Sequence, residues 1–427
     1  MKRKLIAAIG VAGMMVGIVA CGSDDSGSTE KKAGAGAEGF KGQTLTVWAM
    51  DGSTPEQWQK DLTAEFEKQT GAKVKFEVQQ WNGIQQKLTT ALSEESPPDV
   101  FEIGNTQTAA YAKTGGLADL GELKTEIGAD WSETLNEASI VDGKQYAAPW
   151  YFANRVVIYN KAVFKEAGIA APPKTRDEFF AALDKIKAKG KEPLYLPGQN
   201  WYFFDGLTIG KGAELVKKDG DKWVSNLDDP KIAEAAELYK KYQSYSKAPK
   251  DKDEATPQQA DVFAKGQVGA FIGMGWEAGT AIKANPAIEK DIGYFTIPGD
   301  TADKPEGVFL GGSNLAVAEG SKKQELAKAF LKLALSDKYE GQLAKLNGVI
   351  PNKESLNTNL AGNAVAEAAA PSAKVGGTTP LIPEWAAVEN APNPIKTYLT
   401  AVLNGKTPAE AAKQVEGELN KRLAQKQ

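Results

Sequence analysis

The chain has 427 residues, 42% of them hydrophobic and 25% charged, with a formal net charge of −4. That is a globular composition long enough for about two domains, with no basic run of the kind nucleic acid demands. It has no histidine and one cysteine, which excludes Ser-His-Asp and Cys-His catalysis, histidine-ligated zinc and any internal disulfide.

The first element is a targeting signal. Lys2, Arg3 and Lys4 precede an apolar run over residues 5–20, too short for a transmembrane helix of about 20 residues. The run ends Ile18-Val19-Ala20-Cys21. This resembles a bacterial lipobox, with Ile where Leu is usual. The resemblance implies that residues 1–20 are a lipoprotein signal peptide, cleaved before a lipid-modified Cys21. The alternative is an ordinary signal peptide with an incidental cysteine. Residues 21–42 are rich in Gly, Ser, Ala and Lys and read as a flexible tether.

The body begins with a strand over 44–50, whose residues alternate. A helix over 55–70 follows, with Trp58, Leu62 and Phe66 spaced by four and Gly71 as its stop. Residues 73–79 alternate as a second strand, 81–92 read as a helix, and 99–103 as a third strand. Strand, helix, strand, helix, strand implies parallel pairing, and ligands bind beyond the carboxyl ends of such strands. Those ends carry Asp51, Trp81-Asn82 and Asn105-Thr106-Gln107. Residues 146–160 present Trp150, Tyr151 and Phe152 in a row before the apolar run Val156 to Tyr159. A second aromatic cluster, Trp201 to Phe204, reads as a loop ending at Asp205. A buried strand over 268–274 leads to Trp276-Glu277, Gly311-Gly312 precedes Ser313 in another apolar run, and Trp385 lies in a Pro-rich loop. Helices are expected over 161–168, 175–190, 231–245, 258–265, 322–335, 395–404 and 408–424. The sequence shows no internal repeat.

Four segments carry a resemblance. They are residues 142–168, residues 265–279, residues 311–353 (GGSNLAVAEGSKKQELAKAFLKLALSDKYEGQLAKLNGVIPNK) and the lipobox. Together they resemble the extracellular solute-binding proteins of bacterial carbohydrate ABC importers, the family that includes maltose-binding protein. Within it, VWAMDGS, the segment from Trp81 to Thr108 and AYAKTGGLADL most resemble lipoproteins that capture N-acetylglucosamine oligomers, chitobiose in particular.

The resemblance implies an α/β fold of two lobes, each a mostly parallel sheet flanked by helices, with a hinge crossed several times. It places the N-terminal lobe at 43–149 plus 313–347 and the C-terminal lobe at 150–312 plus 348–427. Crossings are expected near 148–154, 310–314 and 348–352, with Gly311, Gly312 and Gly348 as hinge points. It also implies a monomer without cofactor, held to the bilayer through Cys21, that delivers sugar to a membrane permease. The ATPase would be a separate protein, because the chain has no G-x-x-x-x-G-K-[ST] loop.

A neutral disaccharide stacks its C–H faces on aromatic rings, and its hydroxyls require paired donors and acceptors. A buried polar group left unpaired costs about 1–3 kcal/mol, and that cost gives selectivity. The candidate contacts are Asp51, Trp81, Asn82, Asn105, Gln107, Trp150, Tyr151, Arg155, Trp201, Asp205, Trp276, Glu277, Ser313 and Trp385. Each has a structural alternative. Asp51 can shape the turn with Gly52, while Trp81 and Asn82 can staple and cap a helix. Asn105 and Gln107 can cap as well, and Arg155 can pair with a carboxylate. Two rival functions remain at this level: a receptor for cello- or xylo-oligosaccharides or a peptide, and a secreted glycosidase using two carboxylates about 5–10 Å apart.

Overall fold

Residues 39–425 are described by the computed structural model, in which the chain builds two α/β lobes around separate sheets. The signal sequence, Cys21 and nearly all of the tether lie outside the described residues.

The opening elements follow their residue pattern closely. Strand β1 (Thr44–Met50) buries Leu45, Val47 and Ala49, and the helix Glu56–Thr70 buries Trp58, Leu62 and Phe66. Gly71 ends that helix with φ 71°, a left-handed cap that glycine adopts without a Cβ clash. Next come β2 (Lys73–Gln79), β3 (Val100–Gly104) and a small hairpin of β4 (Ile140–Val141) with β5 (Lys144–Gln145). Strand β6 (Ala148–Ala153) follows, then β7 (Val156–Asn160) and β8 (Glu192–Tyr195). A second hairpin pairs β9 (Val216–Asp219) with β10 (Lys222–Ser225). The last strands are β11 (Val268–Gly273), β12 (Ile292–Phe295), β13 (Gly311–Val317) and β14 (Ile350–Pro351).

The first sheet has the order β14-β6-β13-β3-β1-β2, and the second β12-β7-β11-β8. Only β1 with β2, β1 with β3, and β8 with β11 are parallel; the other pairings in these two sheets are antiparallel. The sheets are therefore mixed rather than mostly parallel. The reason is topological: strands that cross between lobes enter each sheet from the opposite end.

Each lobe has its own aromatic core. Trp58, Phe66, Trp150, Phe330 and Tyr339 fill the first, and Phe179, Phe204, Tyr239, Trp385 and Tyr398 the second. The chain crosses at Asn154-Arg155, between β6 and β7, and returns at Phe309-Leu310, just before β13. It leaves again after β14, because the helix Ala364–Ala373 packs on the second lobe, where Ala368 O accepts from Thr296 Oγ1 at 2.7 Å.

The expected boundaries shift accordingly. Residues 150–153 and 350–351 hydrogen-bond into the first sheet, not the second. The expected hinge glycines also have other work. A Cβ on Gly312 would stand 2.7 Å from Tyr151 O, so glycine there permits close strand approach. Gly348 caps the helix Asp337–Asn347 at φ 68°.

Trp150 is 2% exposed, with its ring centroid 5.6 Å from Trp58 and 5.0 Å from Tyr151. It belongs to the core and does not offer a face to ligand. Trp150→Ala should cost about 3–5 kcal/mol of stability, read as a lowered denaturation midpoint of the ligand-free protein. An unchanged midpoint would remove Trp150 from the core.

Candidate ligand-binding site

The carboxyl ends of β1, β2 and β3 lie side by side at one edge of the first lobe and carry Asp51-Gly52, Trp81-Asn82 and Asn105-Thr106-Gln107. Asp51 and Asn82 are exposed, Trp81 is 39% exposed, and Gln107 is half-buried. The second lobe faces them with the helices Trp276–Ala284 and Trp385–Glu389. The lobes touch across this cleft. A Cβ on Gly52 would stand 3.6 Å from the half-buried Trp276 ring. Gln85 Nε2 donates to Ala386 O at 3.3 Å, and Thr106 Oγ1 donates to Glu389 Oε2 at 2.9 Å.

Beneath the first-lobe edge lies Glu102, which is fully buried in β3. One of its oxygens accepts from Met50 N at 2.7 Å, and the other from Ser53 Oγ at 2.7 Å and Tyr151 OH at 2.8 Å. Ser313 Oγ donates to that same second oxygen. Burial pushes the Glu102 carboxyl up, while these four donors pull it down. Tyr151 and Ser313 are thus engaged under the cleft floor.

Several other candidates are committed to structure. Asn105 is buried and brackets the return crossing: its Nδ2 donates to Leu310 O at 3.1 Å and its Oδ1 accepts from Gly312 N at 3.3 Å. Arg155 pairs with Glu254 at 2.7 Å and lies over the Tyr202 ring at 5.2 Å. Trp201 and Asp205 are not on a loop; they lie in the helix Trp201–Gly210, capped by Asn200, and both are buried. Trp385 opens a helix rather than a Pro-rich loop and is fully buried, its Nε1 donating to Glu389 Oε1 at 2.9 Å. Glu277 turns inward from the first turn of its helix. It accepts from Gln259 Nε2 at 2.8 Å and from Met274 N at 2.7 Å. The candidates left facing the cleft are Asp51, Trp81, Asn82, Gln107 and Trp276.

Three groups of this site had no candidate status in the sequence: Glu102, Thr106 and Glu389. A glutamate inside the wholly buried run VFEI (Val100 to Ile103) was the available signal for Glu102. The W-x-x-x-E spacing of Trp385 and Glu389 was the signal for the other, once that segment is helical.

Residues 51–341 match the family described as bacterial extracellular solute-binding protein. The chain belongs to that family.

This solute-binding protein is 74% identical to the diacetylchitobiose binding protein DasA of Streptomyces coelicolor, over 100% of each chain. It is 25% identical to a maltooligosaccharide ABC transporter solute-binding lipoprotein of Streptococcus pneumoniae, over 92% of this chain and 91% of that one. Among solved structures, the GacH receptor of Streptomyces glaucescens, known unliganded and with acarbose, matches with a TM-score of 0.77 and 25% identity. That match covers 90% of this chain and 99% of the receptor. A maltotriose binding protein of Thermus thermophilus, bound with maltotriose, shares the fold at a TM-score of 0.74 and 21% identity, over 89% of this chain and 100% of that one.

Three carboxyls of the solute-binding protein, Asp205, Glu277 and Glu389, are each pushed up to about 7, chiefly by burial. Their ordinary values lie at 3.8 and 4.5, so each binds a proton more readily in the folded chain than in the unfolded one. The stability they contribute is complete below the ordinary values and is lost as pH rises to about 7. Scanning calorimetry should show Tm falling over that window. Glu277→Gln should flatten the fall, and an unaltered slope would show that Glu277 does not titrate there.

Proposed function

We propose that this protein is the lipid-anchored substrate-binding component of an ABC sugar importer, and that it binds diacetylchitobiose or other N-acetylglucosamine oligomers between its lobes. The observation that carries this reading is the 74% identity, over the full length of both chains, to a diacetylchitobiose binding protein. The cleft chemistry supports it. Trp81 and Trp276 offer ring faces for the C–H surfaces of a sugar, and Asp51, Asn82 and Gln107 offer donors and acceptors for hydroxyl and acetamido groups. The protein holds its ligand without chemistry and hands it to a permease driven by a separate ATPase. Glu102 and Glu277, two buried carboxyls beside the cleft, are saturated by internal donors, which disfavours a glycosidase pair built on them.

Calorimetry against diacetylchitobiose, N-acetylglucosamine, cellobiose, xylobiose and maltose tests the reading. Diacetylchitobiose should bind at least roughly tenfold more tightly than cellobiose, because polar groups that pair with the acetamido arms are left unpaired by cellobiose. Equal affinities would end the acetamido assignment, and released monosaccharide would make the protein an enzyme. Trp276→Ala should weaken binding by about tenfold or more with little change in Tm.

The anchor has its own test. Cys21→Ser should abolish incorporation of labelled palmitate into the protein, as followed by immunoprecipitation. Undiminished label in the variant would exclude lipid attachment at Cys21.

A further inference from the structure

Of the three carboxyls pushed up to about 7, two are enclosed by one lobe alone. Glu277 is held by Gln259 and Met274, and Asp205 by Thr208, all within the second lobe. Glu389 differs. It ends the helix Trp385–Glu389 of the second lobe, where Trp385 Nε1 donates to Oε1 at 2.9 Å and Tyr202 OH to the same oxygen at 3.5 Å. Its other oxygen accepts from Thr106 Oγ1 of the first lobe at 2.9 Å. One half-buried carboxylate therefore takes donors from both sides of the cleft.

We infer that Glu389 is the latch of this protein, a positioning residue that bridges the lobes and fixes how readily the empty and the loaded cleft close.

Opening removes Thr106 from Glu389 and admits water to the carboxylate. The surroundings supply no compensating cation. Tyr111 faces it from the helix Thr108–Lys113, and Tyr202 and Asp205 from the helix Trp201–Gly210. Glu384 heads its own helix, toward Lys113, which is paired with Asp142. Arg422 of the C-terminal helix is spent on Glu418 and on the Ala387 and Asn390 carbonyls, and Arg155 on Glu254. Among the described residues no lysine or arginine pairs with Glu389.

The latch is therefore proton-sensitive. Burial pushes the carboxyl up to about 7 against the pull of the Thr106 donor, and opening relieves the part of that burial which the first lobe supplies, moving it toward its ordinary 4.5. The closed form binds the proton more readily, so closing takes up a proton between those values, and a fall in pH favours closure. With full coupling, ligand binds roughly tenfold more tightly at about pH 6 than at about pH 8.

Two measurements on the full Cys21→Ser chain test this, the second resting on the sugar reading above. Small-angle X-ray scattering of the ligand-free protein should show expansion from about pH 5 to about pH 8. Glu389→Gln, which keeps an acceptor and loses the titration, should hold one radius at both values, and Thr106→Val should be more expanded than its parent at the lower. Calorimetry with diacetylchitobiose should then show proton uptake near pH 6 in the parent and none in Glu389→Gln. A parent radius independent of pH, or the same response in Glu389→Gln, overturns the latch. No heat with the sugar, while scattering still follows pH through Glu389, sinks the ligand assignment and leaves the latch standing.

Discussion

A buried carboxylate is tolerated only when hydrogen bonds replace its water, because the uncompensated charge is expensive. Glu102 meets that demand with donors from three other segments: Met50 at the end of β1 with Ser53 just beyond it, Tyr151 on β6, and Ser313 on β13. These are the segment that presents Asp51 to the cleft and the two strands that border the first and second crossings. One carboxyl group therefore joins the cleft floor to the hinge. Asn105 adds a second tie beside it, by bracketing the Leu310 carbonyl and the Gly312 amide. The arrangement makes the floor and the hinge strands one body, so the moving parts are whole lobes.

The packing agrees. Each lobe has its own aromatic cluster, with Trp58, Trp150 and Tyr339 in one and Phe204, Tyr239 and Tyr398 in the other. Side chains within each cluster interlock, and close-packed interiors do not deform smoothly. Between lobes, on the cleft side, the contacts are few: two hydrogen bonds, Gln85 to Ala386 and Thr106 to Glu389, and the Trp276 ring beside Gly52. Such a surface can part without exposing either core, which suits a hinge.

Much of this was legible in the residues. The alternation of Leu45, Val47 and Ala49, and the four-residue spacing of Trp58, Leu62 and Phe66, report local periodicity, and the structure follows it. The clustering of Asp51, Trp81 and Gln107 followed from βαβ topology alone. What stayed hidden was non-local. The run APWYFA (Ala148 to Ala153) shows no alternation, because β6 lies between β13 and β14 with its first residues buried on both faces; its tryptophan therefore looked free. The segment WYFFDGLTIG, Trp201 to Gly210, is apolar on nearly every side, so it lacked the one-sided stripe that marks a helix. Glu277, next to Trp276 in sequence, was a candidate ligand contact, but the first helical turn directs it back to the Met274 amide. The antiparallel return of β13 and β14 depends on partners more than 150 residues away in sequence, and no window of sequence reports that.

The strand order of the first sheet has a mechanical consequence. The strands that border the crossings, β14, β6 and β13, occupy one edge, and β2 the other. The hinge is thus a fulcrum at one side, and the sheet is a lever arm. With neighbouring strands about 4.8 Å apart, β2 stands roughly 19 Å from β6, and a turn of about 10° at the fulcrum sweeps it through roughly 3 Å. Trp81 follows the end of β2, at the tip of that lever. The aromatic ring with the greatest exposure on the first-lobe rim is also the one that travels furthest, and the thickness of the molecule between the jaws sets where it stops.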